Sequence, residues 1–352
     1  MKTATMVGMG LGALRHKATG WRAPLNVMLS VTNRCNARCS YCNIPQRKQT
    51  ELTTQEIIDL VDLLAERGCL RVGLWGGEPL VRKDIGTIVD RCAAHGLWTT
   101  LDTNGYLFPQ FADRLKNLSH LMISLDGRQE NHDANREPGS WAKTMAGVRC
   151  ASERGLDFWT ISVLTRHNLD DIDYMLDLGE ELGFTPTFQV LHHTAEMAGD
   201  KGDALLPDNG AYHRALRKLR DAKAAGRAVG CSRKYLDYML SWEDFGKPTS
   251  QTSHLDMTCM AGQLYCNVDT DGTVYPCSLL IGDFPALNIR EVGFDRAFAN
   301  LQSNRCQACT ATAFTEYNYL YHLDAPTVLE WVSALKRLGP VGSGFRLPKL
   351  RR

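Results

Sequence analysis

Leu25-Asn-Val-Met-Leu-Ser-Val-Thr32 runs, after Asn33 and Arg34, into Cys35-Asn-Ala-Arg-Cys39-Ser-Tyr-Cys42. The first part is mostly apolar and β-prone, which predicts a buried strand. The second part is a C-x3-C-x2-C motif placed just after the carboxyl end of that strand. Three thiolates so close together suit a soft metal ion or an iron–sulfur cluster.

The number of cysteines in this motif limits which metal groups it can hold. A structural zinc site normally takes four ligands, and three is one too few. A four-iron cluster held by three cysteines keeps one iron open for another ligand. Zinc stays an alternative on spacing alone. A disulfide framework is a weaker alternative, because the triplet is odd in number and residues 1–20 lack the apolar core of a secretory signal.

Composition excludes several classes of protein. The 352 residues are 44% hydrophobic and 22% charged, which is ordinary for a soluble protein with one large core and an accessory domain. The sequence contains no run of eighteen apolar residues, so no transmembrane segment is predicted. The net charge of +1 gives no case for a nucleic-acid partner. Twelve cysteines without a secretory signal predict metal or redox chemistry and a cytoplasmic location.

Strand and helix patterns alternate after the first strand. Thr53 and Glu56 form a capping box at the start of the first helix of this series. The alternation predicts an α/β fold with a parallel sheet covered by helices. It is too short for a full eight-stranded barrel, so we expect a partial (β/α)6 barrel with its site at the carboxyl ends of the strands. The predicted strands cover 25–32, 72–75, 97–103, 121–125, 158–164 and 187–191.

The pattern changes after the last predicted strand, which divides the chain. The small cysteine-rich part has short strand-like runs and little helical periodicity, so we expect an α+β extension of the barrel. The N-terminal segment is mildly apolar and basic and is expected to cap the barrel base as a helix. The predicted parts are 1–24 (N-terminal segment), 25–193 (barrel), 194–254 (helical linker), 255–312 (cysteine-rich extension) and 313–352 (closing helix and basic tail).

Two further motifs end predicted strands and carry a family resemblance. Trp75-Gly76-Gly77-Glu78-Pro79 ends the second strand, and Ile123-Ser124-Leu125-Asp126-Gly127 ends the fourth. Together with the cysteine triplet, these motifs resemble the radical S-adenosylmethionine (radical SAM) enzymes. The resemblance covers roughly residues 25–193.

The resemblance implies a cofactor and a reaction. Cys35, Cys39 and Cys42 would hold three irons of a [4Fe-4S] cluster, whose open iron binds the amino and carboxylate groups of SAM. Reductive cleavage of SAM would give a 5′-deoxyadenosyl radical that takes a hydrogen atom from an unactivated C–H bond. A flavodoxin- or ferredoxin-type partner would supply the electron.

The resemblance also implies SAM contacts at the strand ends. Gly76 and Gly77 would allow close approach of the backbone, and Glu78 would accept from the methionine ammonium. Arg136 would pair with the SAM carboxylate, with a surface ion pair as the alternative. Ser124 and Asp126 would contact the ribose or a carboxylate. For the glycines, Asn104, Ser124 and Asp126, ordinary turn roles are the alternatives. The expected SAM-contacting residues are Tyr41, Gly76, Gly77, Glu78, Pro79, Asn104, Ser124, Asp126 and Arg136.

A second cysteine group lies near the C-terminus. Asp271-Gly272 predicts a hairpin that brings Cys259 and Cys277 together, and Cys306-Gln-Ala-Cys309 supplies two more thiols. On composition alone, a four-cysteine zinc site is a serious alternative. The segment resembles the Twitch form of the SPASM/Twitch extension of radical SAM enzymes, which implies one auxiliary [4Fe-4S] cluster.

Two other cysteines are left with open roles. Cys266 lies inside the extension and could replace one of the four ligands or be buried. It could also donate a hydrogen atom to a substrate radical, as a thiol does in some epimerases of the family. Cys231 is a second candidate for that role.

The substrate is predicted less directly. Only about 24 residues precede the first strand, which is too few for the leader-binding domain of many peptide maturases. We therefore expect a small-molecule metabolite that is oxidised, dehydrogenated or epimerised. A ribosomally made peptide is the alternative substrate, and a zinc-binding or electron-transfer protein is the alternative outside enzymes.

Overall fold

A computed structural model describes residues 3–192, 202–247, 258–306 and 309–337 of the chain. The predicted loop that follows residue 193 and the predicted basic tail lie largely or wholly outside these ranges. None of the described helices is long and apolar enough to cross a membrane.

The strands form a single sheet. Their order in space is β6-β5-β4-β3-β2-β1-β7-β8-β9, and neighbours from β6 to β1 are all parallel. The predicted partial barrel of six parallel strands is therefore confirmed. The strands are β1 (Asn26–Thr32), β2 (Arg71–Gly76), β3 (Trp98–Thr103), β4 (His120–Ser124), β5 (Phe158–Leu164), β6 (Thr185–Val190), β7 (Tyr265–Val268), β8 (Thr273–Tyr275) and β9 (Leu287–Asn288).

Helices alternate with the parallel strands and then follow them. The capping box at Thr53 and Glu56 is confirmed at the start of α2. The helices are α1 (Thr3–Thr19), α2 (Thr54–Glu66), α3 (Ile85–Ala94), α4 (Phe108–Phe111), α5 (Gln129–Asn135), α6 (Ser140–Glu153), α7 (Ile172–Leu182), α8 (Asn209–Ala224), α9 (Arg233–Leu240), α10 (Ile289–Val292), α11 (Phe294–Asn300), α12 (Thr312–Tyr321) and α13 (Ala325–Arg337).

The two faces of the parallel sheet have different surroundings. Side chains alternate between the faces along each strand. Leu29, Leu74 and Leu101 point to the helix-covered face and are fully buried in the main hydrophobic core. Trp75 and Met122 lie on the opposite, inner face and are partly exposed. The inner face is thus the wall of an open barrel interior.

The cysteine-rich extension continues the same sheet. Strand β7 pairs in parallel with β1, from Asn26↔Tyr265 to Leu29↔Val268. Strand β8 returns antiparallel to β7, and Gly272 takes a φ of +89° in the connecting turn. The predicted hairpin is confirmed. Strand β1 is the barrel strand to which the extension is joined.

Helix α1 lies at the base of the barrel, as expected for the N-terminal segment. A Cβ atom at Gly12 would lie 2.4 Å from the Leu25 side chain, and one at Gly8 would lie 2.9 Å from Leu70. Leu25 and Leu70 immediately precede β1 and β2. The two glycines therefore let the helix approach the amino-terminal ends of these strands closely.

A buried ion pair joins the barrel to the extension. Arg47, on the segment after the cysteine triplet, pairs with Asp269 at the end of β7, with Nη1 and Oδ1 3.1 Å apart. The two side chains are only 6% and 2% exposed. Two buried charges stabilise each other only while both are present, so each depends on its partner.

We expect Asp269→Asn to lower the free energy of unfolding by about 3 kcal/mol, because it removes one charge of a buried ion pair. Guanidinium chloride denaturation of the purified protein measures the change. Asp113→Asn, which removes one partner of the exposed pair Arg154–Asp113, is the matched control and should cost less than about 1 kcal/mol. Equal effects of the two substitutions would contradict a special role for the buried pair.

Candidate active site

The cysteine triplet lies on the loop that leaves β1. Cys35 Sγ accepts a hydrogen bond from the Ala37 N–H at 3.4 Å. Cys39 Sγ lies 3.7 Å from Arg136 Nη1. Burial raises the pKa of Cys35 to about 12 and that of Cys39 to about 11. Thiolates at these positions therefore need a bound cationic centre to replace the proton, as metal ligation provides.

The Gly76-Gly77-Glu78 loop is hydrogen-bonded to the chain just before the triplet. Gly77 N–H donates to the Thr32 carbonyl at 2.7 Å, and Glu78 N–H donates to the Arg34 carbonyl at 2.9 Å. A Cβ atom at Gly76 would lie 2.4 Å from the Thr32 carbonyl oxygen, and one at Gly77 would lie 2.4 Å from that of Arg34. Gly76 also has a φ of +135°. Glycine is therefore required at both positions for this contact.

The Glu78 side chain is fully enclosed by protein. Its carboxylate accepts hydrogen bonds from Leu80 N at 3.0 Å, Thr103 Oγ1 at 2.7 Å and Asn104 N at 2.7 Å. Burial raises the pKa of Glu78 to about 7, although these donors act in the opposite direction. The prediction that this carboxylate accepts from a ligand ammonium is corrected, because its contacts are internal and the side chain is 0% exposed. It joins the ends of β2 and β3 instead.

Asn104 faces the triplet loop. Its Nδ2 donates to Asn36 Oδ1 at 2.7 Å and lies 4.0 Å from Cys35 Sγ. The left-handed conformation belongs to the next residue, Gly105, with a φ of +84°. The alternative of a left-handed turn residue at Asn104 is therefore wrong, and the residue lies beside the proposed cluster ligands.

Asp126 and Arg136 form a buried pair at the same edge. Arg136 Nε lies 2.8 Å from Asp126 Oδ2, and the side chains are 6% and 0% exposed. Tyr41 places its hydroxyl 3.5 Å from the same Oδ2 and its ring under the guanidinium. The alternative of a surface ion pair is wrong because of this burial. The resemblance implies that Arg136 binds the carboxylate of SAM. In the structure, two nitrogens of Arg136 already donate hydrogen bonds to the carboxylate of Asp126.

The remaining predicted contacts lie around these groups. Ser124 is the last residue of β4, next to Ile161 of β5, and is partly exposed on the inner face. Pro79 is buried in the short turn after Glu78. The structure therefore brings the triplet and all nine predicted SAM-contacting residues to the carboxyl ends of β1 to β4.

The second cysteine group surrounds one cavity. Cys259, Cys277, Cys306 and Cys309 all line one small cavity, together with apolar side chains that include Phe314. A hydrogen bond with Cys306 is the main cause that lowers the pKa of Cys259 to about 6. The four predicted thiols thus face a common, largely apolar space.

The structure does not bring Cys266 or Cys231 to these sites. Cys266 is on β7 opposite Val27, in the main hydrophobic core, and Cys231 is buried in the same core. Burial raises the pKa of both thiols. Cys266 is also absent from the lining of the cysteine cavity. The expectation of a hydrogen-atom donor is corrected for both, because both thiols are buried within the hydrophobic core.

Within the described ranges, no three His, Cys, Asp or Glu side chains converge closely enough to hold one metal ion. A four-iron cluster spreads its thiolates over separate irons, so it does not require that convergence. Three thiols at an open edge and four around a cavity are donor sets that iron–sulfur clusters take.

Sequence reasoning missed several residues that hold these sites. Thr103 was not singled out, although it directly precedes Asn104, and its hydroxyl donates to Glu78. Tyr265 and Asn318 lie 3.4 Å and 3.8 Å from Cys259 Sγ. Asn318 comes from α12, far along the sequence, and no local pattern connects it with a cysteine.

Comparisons with known proteins agree with this geometry. The family model of the radical SAM superfamily matches residues 29–179. The AdoMet-dependent heme synthase of Methanosarcina barkeri is 29% identical, over 80% of this chain and 83% of its own length. The PqqA peptide cyclase of Ruegeria pomeroyi is 30% identical, over 79% of this chain and 76% of its own length.

A solved structure shows the same fold. Streptococcus suis SuiB bound to the precursor peptide SuiA has a TM-score of 0.64 at 17% identity, covering 84% of this chain and 70% of the SuiB chain. Motifs, site geometry and relatives lead to the same conclusion: the chain belongs to the radical SAM superfamily and is of the SPASM/Twitch type.

Proposed function

We propose that this protein is a radical SAM enzyme that modifies a ribosomally made precursor peptide. It would use a SAM-binding [4Fe-4S] cluster on Cys35, Cys39 and Cys42 and one auxiliary [4Fe-4S] cluster. The observation that carries the proposal is the hydrogen-bonded contact between the triplet loop and the Gly76-Gly77-Glu78 loop. That contact joins the proposed cluster ligands to the proposed SAM-binding loop.

A cluster on Cys35, Cys39 and Cys42 with bound SAM would supply radical chemistry at this edge of the barrel. The chain's own residues hold and shield the site. Arg136 and Asn104 direct N–H groups at the sulfurs of Cys39 and Cys35, which stabilises negative charge there. Glu78 fixes the β2 and β3 ends relative to each other. We expect a flavodoxin- or ferredoxin-type donor to supply the electron, and this remains a prediction.

The peptide substrate replaces our first expectation of a small metabolite. That expectation rested on the short segment before β1. The length of this segment does not determine how a peptide reaches the barrel interior. The PqqA peptide cyclase is named for a peptide substrate, and SuiB accommodates a precursor peptide on a similar fold. The similarity to a heme synthase favours a metabolite, so a tetrapyrrole substrate is the second candidate.

The second cysteine group supports the auxiliary cluster. Its four thiols line one cavity, so a cluster there would be fully ligated by protein. A fully ligated cluster there would have no open iron for SAM, and we infer that it would supply electron transfer. By analogy with the family, this role fits an oxidative cross-link in a peptide.

The proposed function predicts two products. Reconstituted enzyme with SAM and dithionite should release 5′-deoxyadenosine. Co-expression with short open reading frames next to the gene should give a peptide that has lost two hydrogens, as detected by mass spectrometry. Cys35→Ala should abolish both products, and Cys150→Ala, at a partly buried cysteine on α6, is the matched control. Release of 5′-deoxyadenosine only when a tetrapyrrole is present would contradict the peptide substrate.

Metal content tests the two-cluster arrangement. After anaerobic reconstitution we expect about eight irons per chain in the wild type, because two four-iron clusters would be bound. The double substitution Cys306→Ala and Cys309→Ala should reduce this to about four, while Cys69→Ala, at a buried core cysteine, should leave it near eight. Iron and acid-labile sulfide assays measure both. About four irons in every variant, or stoichiometric zinc, would contradict the auxiliary cluster.

A further inference from the structure

The barrel interior below the candidate active site has an uneven distribution of charge. On β1 to β6, the inner face carries aromatic, aliphatic, sulfur-containing and neutral polar side chains together with the Arg71 guanidinium, and many of these side chains are partly exposed. Strand alternation places one carboxylate on this wall in the described strands, that of Asp102 on β3. Asp102 pairs with Met122 of β4 and is partly exposed.

The Asp102 carboxylate has no hydrogen-bond donor within the described part of the chain, and its one favourable partner is the charge of Arg71. Partial removal from water raises the pKa of Asp102 to about 6, whereas Arg71 acts to lower it. A carboxylate that is removed from water without a donor is costly, so retaining one on this wall calls for a reason.

Arg71 is itself committed to other groups. Its Nη1 donates to Asn26 Oδ1 and its Nη2 to Thr100 Oγ1, both at 2.7 Å. Its guanidinium also lies over the ring of Tyr317, 5.2 Å from the centroid. Arg71 therefore favours the charged form of Asp102 from a distance and leaves the acceptor sites of the carboxylate open.

Asp102 lies close to the proposed site of the SAM-binding cluster. It is two residues before Asn104, whose amide lies 4.0 Å from Cys35 Sγ. A strand rises about 3.3 Å per residue, so Asp102 is roughly 7 Å deeper in the barrel than Asn104. A group held there would belong to the part of the substrate that faces the cluster edge.

We propose that Asp102 is a substrate-positioning residue that accepts a hydrogen bond from a hydroxyl or ammonium group of the substrate segment inside the barrel. The inference rests on the proposed function, because it assumes a substrate in the barrel interior. It names the class of side chain that this substrate presents. A peptide with tyrosine, serine, threonine or lysine at the inserted position has such a donor.

Binding of matched probes to the anaerobic reconstituted enzyme tests the proposal. N-acetyl-L-tyrosinamide is compared with N-acetyl-L-phenylalaninamide, and N-acetyl-L-lysinamide with N-acetyl-L-norleucinamide, by isothermal titration calorimetry. Within each pair the probes differ at the donor group. A hydrogen bond to a charged acceptor predicts that one donor probe binds about tenfold more tightly than its analogue.

Two substitutions and a control identify the acceptor. Asp102→Leu should remove the preference. Asp102→Asn should retain part of a hydroxyl preference, since an acceptor oxygen remains, but should lose an ammonium preference. Asp59→Leu, on the exposed side of α2, should keep the wild-type preference. If Asp102→Leu fails to bind iron or to fold, Asp102→Asn alone tests the proposal. Loss of the preference for the ammonium probe, or a reduced preference for the hydroxyl probe, in this variant identifies Asp102 as the acceptor.

The outcomes separate this proposal from the proposed function. No preference in the wild type, or an unchanged preference in both Asp102 variants, overturns the role of Asp102. A preference that depends on Asp102 in an enzyme that releases no 5′-deoxyadenosine supports the positioning role and overturns the proposed function. Release of 5′-deoxyadenosine without any probe preference overturns only the role of Asp102.

Discussion

The close backbone contact between the end of β2 and the start of the triplet loop is the constraint on which the site depends. Gly76 and Gly77 approach the carbonyls of Thr32 and Arg34 so closely that no Cβ atom fits. Two hydrogen bonds hold this contact. As a result, the cysteine triplet starts from a fixed position beside the loop that follows β2. The buried carboxylate of Glu78 extends the same connection to β3.

Strand β1 relates the two cysteine groups to each other. It leads into the triplet at its carboxyl end, and its free edge pairs with β7 of the extension. The buried pair of Arg47 and Asp269 adds a second link between the triplet loop and the extension. The barrel and the extension are therefore parts of one sheet. This arrangement would hold the proposed auxiliary cluster at a constant distance from the proposed SAM site.

Much of this architecture could be predicted from the sequence, because the signals are local. Alternating strands and helices, the capping box at Thr53 and the turn at Asp271-Gly272 each depend on neighbouring residues. The pairing of β7 with β1 could not be predicted, since it joins segments more than 200 residues apart in the sequence. The sequence also could not show that Glu78 is buried or that Cys266 faces the core, because both depend on tertiary packing.

The same distinction applies to the site residues. Cysteine spacing indicated seven candidate ligands, and the structure brings these seven cysteines together at two places. The partners of charged groups were harder to predict, and Arg136 lies against Asp126 although the sequence suggested a ligand carboxylate. Asp102 gave no sequence signal at all, because its significance lies in the absence of a donor on the opposing strands described here.

The central claim is that the glycine contact places SAM on the cluster held by the triplet. Electron–nuclear double resonance of the reduced enzyme with SAM labelled with ¹⁵N at its amino group tests it most directly. The account predicts a nitrogen coupling in the wild type, and its loss in Gly77→Ala with the iron of the triplet retained. No coupling in the wild type, or an unchanged coupling in Gly77→Ala, would contradict the account.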